Sequence, residues 1–203
     1  MVPLVDHDNG ARPCVCRRRT FRNAETAAGA RSMKLPLDVN RIRSDGPHEA
    51  MGNSFGLTRK DKNNKPKRHM GWDLSARPGT AVYAVADGRI IHRFHNVRGY
   101  GDAIVLEFDN PKYDPWSRIC VGLPSYRKLY AVYAHLSKIL NLHAVLKGQV
   151  IGYTGTGGNA AGESPHLHFE IMLEEPLTPH SPRVDPGELF GYSFYVCEGR
   201  TGR

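Results

Sequence analysis

A chain of 203 residues with 40% hydrophobic and 24% charged residues can bury a core without disulfides or a structural metal. Its formal net charge of +8 suits acidic polymers, anionic lipid or nucleic acid, or no more than a solvated basic surface. No basic helix, finger motif or aromatic-and-basic RNA signature accompanies that charge, and no run of about 20 apolar residues could span a membrane, which sets nucleic acid and membrane insertion aside.

Residues 1–45 are rich in Arg, Ala and Asp and hold no period of 2 or 3.6, so they are expected as an N-terminal extension, loosely packed or poorly ordered. Their first part lacks the apolar stretch and small-residue cleavage site of a signal peptide. The expectation is a protein made in the cytoplasm without a leader, with Met33 as an alternative start. Cys14 and Cys16 form a C-x-C pair whose distant companions, Cys120 and Cys197, do not complete a zinc ribbon. A Cys120–Cys197 disulfide and free thiols both stay open.

From about Gly52 the pattern changes, and residues 46–195 are expected to form one domain, followed by a tail over 196–203. Residues 81–86 (AVYAVA) read as a strand ending at the turn Asp87-Gly88, with 89–94 returning. Residues 102–108 (DAIVLEF), 128–135 (KLYAVYAH), 149–154 (QVIGYT) and 166–173 (HLHFEIML) follow as further strands. The best short helix lies over 136–145. Residues 109–127 form a long connection with Tyr113, Trp116 and Tyr126, of a length that often carries function. The result is a mainly antiparallel β domain.

Three segments carry chemistry. His69 and Asp73 stand four apart around Gly71, which allows close backbone approach. Imidazole and carboxylate both suit zinc, but this spacing alone is common. In the 166–170 strand, alternation puts His166, His168 and Glu170 on one face and Leu167 and Phe169 in the core. Two neighbouring imidazoles on a surface strand add nothing to stability, so they read as metal or acid–base chemistry. His135, in Tyr133-Ala134-His135-Leu136, would be structural if it stood alone. The glycine-rich 154–160 loop lacks the ending of a phosphate cradle and reads as a flexible cleft wall.

Taken in order, Phe55-Gly56, His69 to Asp73, Pro78-Gly79-Thr80, Ala86-Asp87-Gly88, Tyr133 to Leu136, Gly155-Thr156-Gly157 and His166 to Phe169 resemble the lysostaphin/LytM-type zinc endopeptidases of the bacterial cell wall, over about residues 53–185. The resemblance implies an antiparallel β-sheet core of the duplicated hybrid type, with long loops around a zinc cleft and few short helices. It implies zinc (Zn2+) on His69, Asp73 and His168, with the fourth position left to water and substrate. His135 and His166 become an unligated pair that moves protons and stabilises the developing oxyanion. Glu170 stays open between orienting an imidazole and being a surface carboxylate. Some members carry a tyrosine shortly before the first ligand, and residues 59–68 hold none, so that role would pass to the zinc, the two histidines or another loop.

The implied activity is hydrolysis of cross-links or stem peptides of peptidoglycan, with bond choice set by the loops over 56–68, 109–127 and 155–165. Alternatives are a non-catalytic wall-binding or regulatory domain, a phage lysis enzyme and a peptidase of ordinary proteins. Without a leader, the favoured setting is an antibacterial effector carried by a type VI-like secretion system. Its partners would be a secretion-machine component and an immunity protein, and it would act in the periplasm or wall.

Overall fold

The apolar runs broken by Gly and Pro fold as strands, because β-branched and aromatic residues between turn formers suit a pleated, half-buried surface. The computed structural model of the chain describes residues 33–114, 123–175, 177–178, 180–191 and 194. In chain order these form β1 (Gly56–Lys60), β2 (Pro66–His69), β3 (Trp72–Ser75), β4 (Ala81–Tyr83), β5 (Gly88–Val97) and β6 (Gly101–Asp109). They continue with β7 (Lys128–Ile139), β8 (Ala144–Val145), β9 (Val150–Thr154), β10 (His166–Met172), β11 (Arg183–Val184) and the short α1 (Gly187–Phe190).

Nine strands form one sheet whose spine runs β11-β10-β7-β6-β5-β8. β3 pairs with β10, and β9 joins β4 to β7. β1 and β2 form a separate hairpin. Every pairing is antiparallel. The main core lies against one sheet face, around Trp72, Leu74, Ile104, Leu106, Tyr133, Leu167 and Phe169, and a smaller cluster of Val105, Val132 and Met172 packs on the other. The mainly β antiparallel architecture expected from the sequence is the one observed.

Two expectations need correction. The helix over 136–145 does not form: Leu136 to Ile139 extend β7, and Ala144–Val145 is β8. Pairing with β9 at Leu136↔Thr154 and Ile139↔Gly152 satisfies that backbone, and Leu136 and Val145 are buried in the core, so packing overrides local helix preference. The loose packing expected of residues 1–45 does not hold for 33–45. Leu37 is buried in the core, the Lys34 and Tyr83 amides donate to Val85 and Pro36 carbonyls at 2.9 Å each, and Ile42 bridges to Leu74. Residues 1–32, the four cysteines, Trp116 and the tail over 196–203 lie outside the described residues.

Gly71 links β2 to β3 where the chain crosses from the hairpin to the sheet. A Cβ there would sit 2.2 Å from the Phe169 carbonyl oxygen, far inside contact distance. We therefore expect Gly71→Ala to push β3 off β10 and cost about 1–3 kcal/mol or more, as overpacking does. Urea denaturation checks this; an unchanged midpoint would contradict the close approach.

Candidate metal centre and cleft

The site is built on β10, which pairs with β3 on one side and β7 on the other. Register places His168 opposite Asp73 on β3 and opposite Ala134 on β7. Paired residues share a face, so Asp73 and His168 meet in the cleft, while Leu167↔Leu74 and Phe169↔Trp72 meet in the core. The alternation expected for 166–170 is therefore present. The strand is internal, however, and His166 and Glu170 are buried rather than on an exposed surface.

His69 reaches the same point from the end of β2. The i, i+4 relation with Asp73 does not run along one strand, because Met70 and Gly71 separate two different pairings. His135 arrives by another device. Tyr133 points to the core and Ala134 pairs on the cleft face, so plain alternation would send His135 back into the core. Instead His135 adopts φ 61°, with register irregularities on both sides of β7 nearby. A left-handed conformation in a non-glycine residue costs about 1–3 kcal/mol and is tolerated where structure over-determines it. Here it swings the ring onto the cleft, with centroids 4.8 Å from His166 and 5.9 Å from His168.

Each of the three expected ligands has one heteroatom bound to the protein and one facing its fellows. His69 donates from Nδ1 to the Ser54 carbonyl at 2.9 Å, which leaves Nε2. His168 donates from Nε2 to Glu170 Oε1 at 2.8 Å, which leaves Nδ1. Asp73 ion-pairs through Oδ2 with Arg59, which leaves Oδ1. The remaining atoms stand 3.2 Å (His69 Nε2 to His168 Nδ1), 3.2 Å (His69 Nε2 to Asp73 Oδ1) and 2.7 Å (His168 Nδ1 to Asp73 Oδ1) apart. A tetrahedral zinc with ligands about 2.0–2.1 Å away keeps its ligand atoms about 3.3 Å from each other. The donor set fits such an ion in type, number and spacing.

The electrostatics favour positive charge at this point. Burial pushes the Asp73 carboxyl up, but the neighbouring imidazoles of His168 and His69 outweigh it and hold it well below the usual carboxylate range. Burial opposes ionisation of Glu170 too, and His168 with Arg183 overcomes it. Burial would depress His168, yet Asp73 and Glu170 raise it to about 9. The unligated histidines go the other way. Burial, reinforced by His168 and His166, takes His135 down to about 3, and burial also lowers His166, so both are neutral at pH 7.

Glu170, left open above between two readings, is no surface carboxylate. It is buried, accepts from His168 and from the Tyr100 hydroxyl at 2.9 Å, and ion-pairs with the buried Arg183 at 2.9 Å. The 154–160 loop is tied down rather than loose: the Gly155 amide donates to the His135 carbonyl, Asn159 to Gly99, and His135 donates from Nδ1 to Gly157. Gly101 and Gly158 make this possible, since a Cβ on either would meet the other's backbone within 2.6 Å.

The cleft, about 330 Å³, is lined around the histidines by Arg43, His48, Arg59, Tyr100, Asn159 and Glu163 among others. Asn159 belongs to the 154–160 loop read from the sequence as a cleft wall, and Arg59 and Glu163 lie in loops expected to set bond choice; Arg43, His48 and Tyr100 had no such signal. Tyr100 does come from another loop, but its hydroxyl is committed to Glu170, and burial beside that carboxylate raises its pKa.

Comparison with known proteins gives concordant findings. The model of "Peptidase family M23" matches residues 67–186. A "DD-carboxypeptidase/endopeptidase Mpg" of Neisseria meningitidis serogroup B is 32% identical over 123 residues, 60% of this chain and 24% of that protein. A "Murein hydrolase activator NlpD" of Salmonella dublin is 29% identical over 157 residues, 76% of this chain and 34% of that protein. The chain thus spans about a quarter to a third of the length of these relatives. The solved structure of LytU is 20% identical, with a TM-score of 0.53, covering 79% of this chain and 94% of that one, a likeness of fold.

The Glu170–Arg183 pair is the buried base of the cluster. Breaking it from one side leaves an uncompensated buried charge, so Arg183→Met is expected to cost about 3–5 kcal/mol. Replacing both partners, Glu170→Gln with Arg183→Met, should recover part of that loss. Denaturation midpoints of Arg183→Met, Glu170→Gln alone and the double variant test this, and strictly additive losses would count against a coupled pair.

Proposed function

This chain belongs to peptidase family M23, and from that premise we propose that it is a zinc metallo-endopeptidase hydrolysing an amide in the stem peptides or cross-links of bacterial peptidoglycan. The observation that carries the proposal is the donor set. Three side chains keep one ligand atom each at tetrahedral spacing, beside two neutral histidines that none of the three displaces.

Zinc held by His69 Nε2, Asp73 Oδ1 and His168 Nδ1 would supply a Lewis acid that polarises the scissile carbonyl and acidifies the attacking water. The protein's own part is to place groups and move protons. His135 gives its Nδ1 hydrogen to Gly157 and so presents a bare Nε2 to the cleft, free to accept the proton that water loses. The same nitrogen then returns that proton to the departing amine. Arg59 and Glu170 keep Asp73 and His168 oriented, which preserves the geometry during the reaction.

Peptidoglycan is supported as substrate by the similarity to a DD-carboxypeptidase/endopeptidase and to a murein hydrolase activator. The second similarity also raises another reading, a non-catalytic regulator on this fold. The intact donor set speaks for catalysis, because a regulator has no need of three preoriented ligands and two unprotonated histidines. No helix among the described residues is long and apolar enough to cross a membrane. Action in the periplasm or cell wall follows from the substrate.

The test is digestion of wall fragments by zinc-loaded protein with and without chelator, with metal content measured alongside. His69→Ala, Asp73→Ala and His168→Ala are expected to lose both zinc and activity. His135→Ala and His166→Ala should retain zinc while activity falls by about 10²–10⁴-fold, the usual contribution of a general acid–base group. Zinc-loaded wild type that leaves several wall types intact would overturn the hydrolytic reading, and failure to take up zinc would favour the regulator.

A further inference from the structure

Arg43 lies outside the region matched to the family, yet its side chain is wholly buried at the edge of the cleft. One of its terminal nitrogens donates to Glu163 Oε2 at 2.9 Å. The other donates to the Ser164 carbonyl at 3.1 Å and stands 3.0 Å from His166 Nδ1. Its Nε has no hydrogen-bond partner among the described residues. Taking a guanidinium out of water costs several kcal/mol, which a half-exposed partner such as Glu163 repays poorly. Stability alone is therefore a weak reason for an arginine here.

Its chemistry supplies a better one. Arginine stays charged and offers hydrogens only, so a ring nitrogen facing it at hydrogen-bonding distance has to accept. His166 Nδ1 also lies 2.9 Å from the Ser164 carbonyl, which by itself would suit the opposite tautomer. That carbonyl could accept a second hydrogen, but one on Nδ1 would be driven against the guanidinium 3.0 Å away, whose hydrogens already face this nitrogen. His135 is in the reverse state, since its Nδ1 faces the Gly157 carbonyl, which can only accept.

We infer that Arg43 is a positioning residue that holds His166 in the Nε2–H tautomer, so the facing histidines present opposite functions, a lone pair on His135 and a hydrogen on His166. The inference rests on the hydrolytic reading for its consequence, though not for its geometry. In hydrolysis, water's oxygen bonds to the carbonyl carbon as His135 Nε2 takes one water proton. The carbonyl oxygen gains negative charge, and His166 Nε2–H donates a hydrogen bond to it without transferring the proton. When the C–N bond breaks, the proton on His135 passes to the amine nitrogen, leaving an acid and an amine. His135 is then the base and later the acid, and His166 stabilises the oxyanion.

The experiment uses zinc-loaded protein of the full chain with 15N-labelled histidine, and long-range 1H–15N correlation to identify which nitrogen of each ring is protonated. His166→Gln supplies the assignment. Wild type is expected to show protonated Nε2 on His166 and protonated Nδ1 on His135. In Arg43→Met, His166 should switch to Nδ1–H. kcat should then fall by about 10²-fold, the scale of losing one oxyanion donor, with KM and bound zinc little changed. Arg43→Lys restores a charged donor and should recover the tautomer and part of kcat. A wild-type His166 protonated on Nδ1, or an Arg43→Met protein with unchanged tautomer and kcat, overturns the inference. Should Arg43→Met fail to fold, the wild-type spectrum and Arg43→Lys decide it. If the wild type cuts no wall material, the hydrolytic reading fails while the spectrum still decides the tautomer.

Discussion

The pairing of β10 with β3 and β7 is the constraint on which the rest of the cleft depends. It sets Asp73, His168 and Ala134 side by side on one face and Trp72, Phe169 and Tyr133 on the other. A strand's faces alternate, so a slip of one residue would bury the imidazoles among leucines and present the core to solvent. The large aromatic and aliphatic residues that seal the core thus fix the polar site as well. Core and site share one register, and neither can shift without the other.

On that frame, the cleft is organised by what each polar atom is already doing. A histidine with both nitrogens free can turn and protonate in several ways. Those at this site are held by Ser54, Glu170, Gly157 and the Arg43–Ser164 pair, each of which settles which ring nitrogen faces inward. Asp73 is similarly committed through Arg59. Preorganisation of this kind lets a site act without reorganising at the moment of reaction, which is where polar groups in a low-dielectric setting have most effect. The split in protonation follows from the neighbours: carboxylates flank and raise His168, whereas at His135 burial and the two imidazoles outweigh Asp73 and the Gly157 carbonyl.

Much of this was legible from the residues, and the parts that were not share a cause. The H-L-H-F-E run announced its alternation because strand period is a property of consecutive residues. The helix expected over 136–145 failed because its backbone finds partners on β9, more than ten residues away. His135 reaches the cleft through a left-handed backbone that no local turn signal marks. Glu170 could not be placed between surface and interior, since its partners Arg183 and Tyr100 come from distant segments. Long-range partners were the common omission; the ligands could be chosen, but not the groups that hold them.

Those holding groups cluster in an unexpected place. The family match begins at residue 67 and contains all the proposed ligands and both free histidines. Yet His69 is oriented by Ser54, Asp73 is paired with Arg59, and His166 faces Arg43. Three of the five site residues thus depend on a stretch that precedes the matched region. The same stretch is anchored by Leu37 in the core and by the Ile42 bridge to β3, so its contacts at the cleft are not those of a passing loop. A ligand set specifies which ion can bind, but the tautomers and orientations that make it work are set by its neighbours. In this chain the segment from Leu37 to Arg59 is therefore part of the site, and its sequence constrains how the site's side chains are oriented.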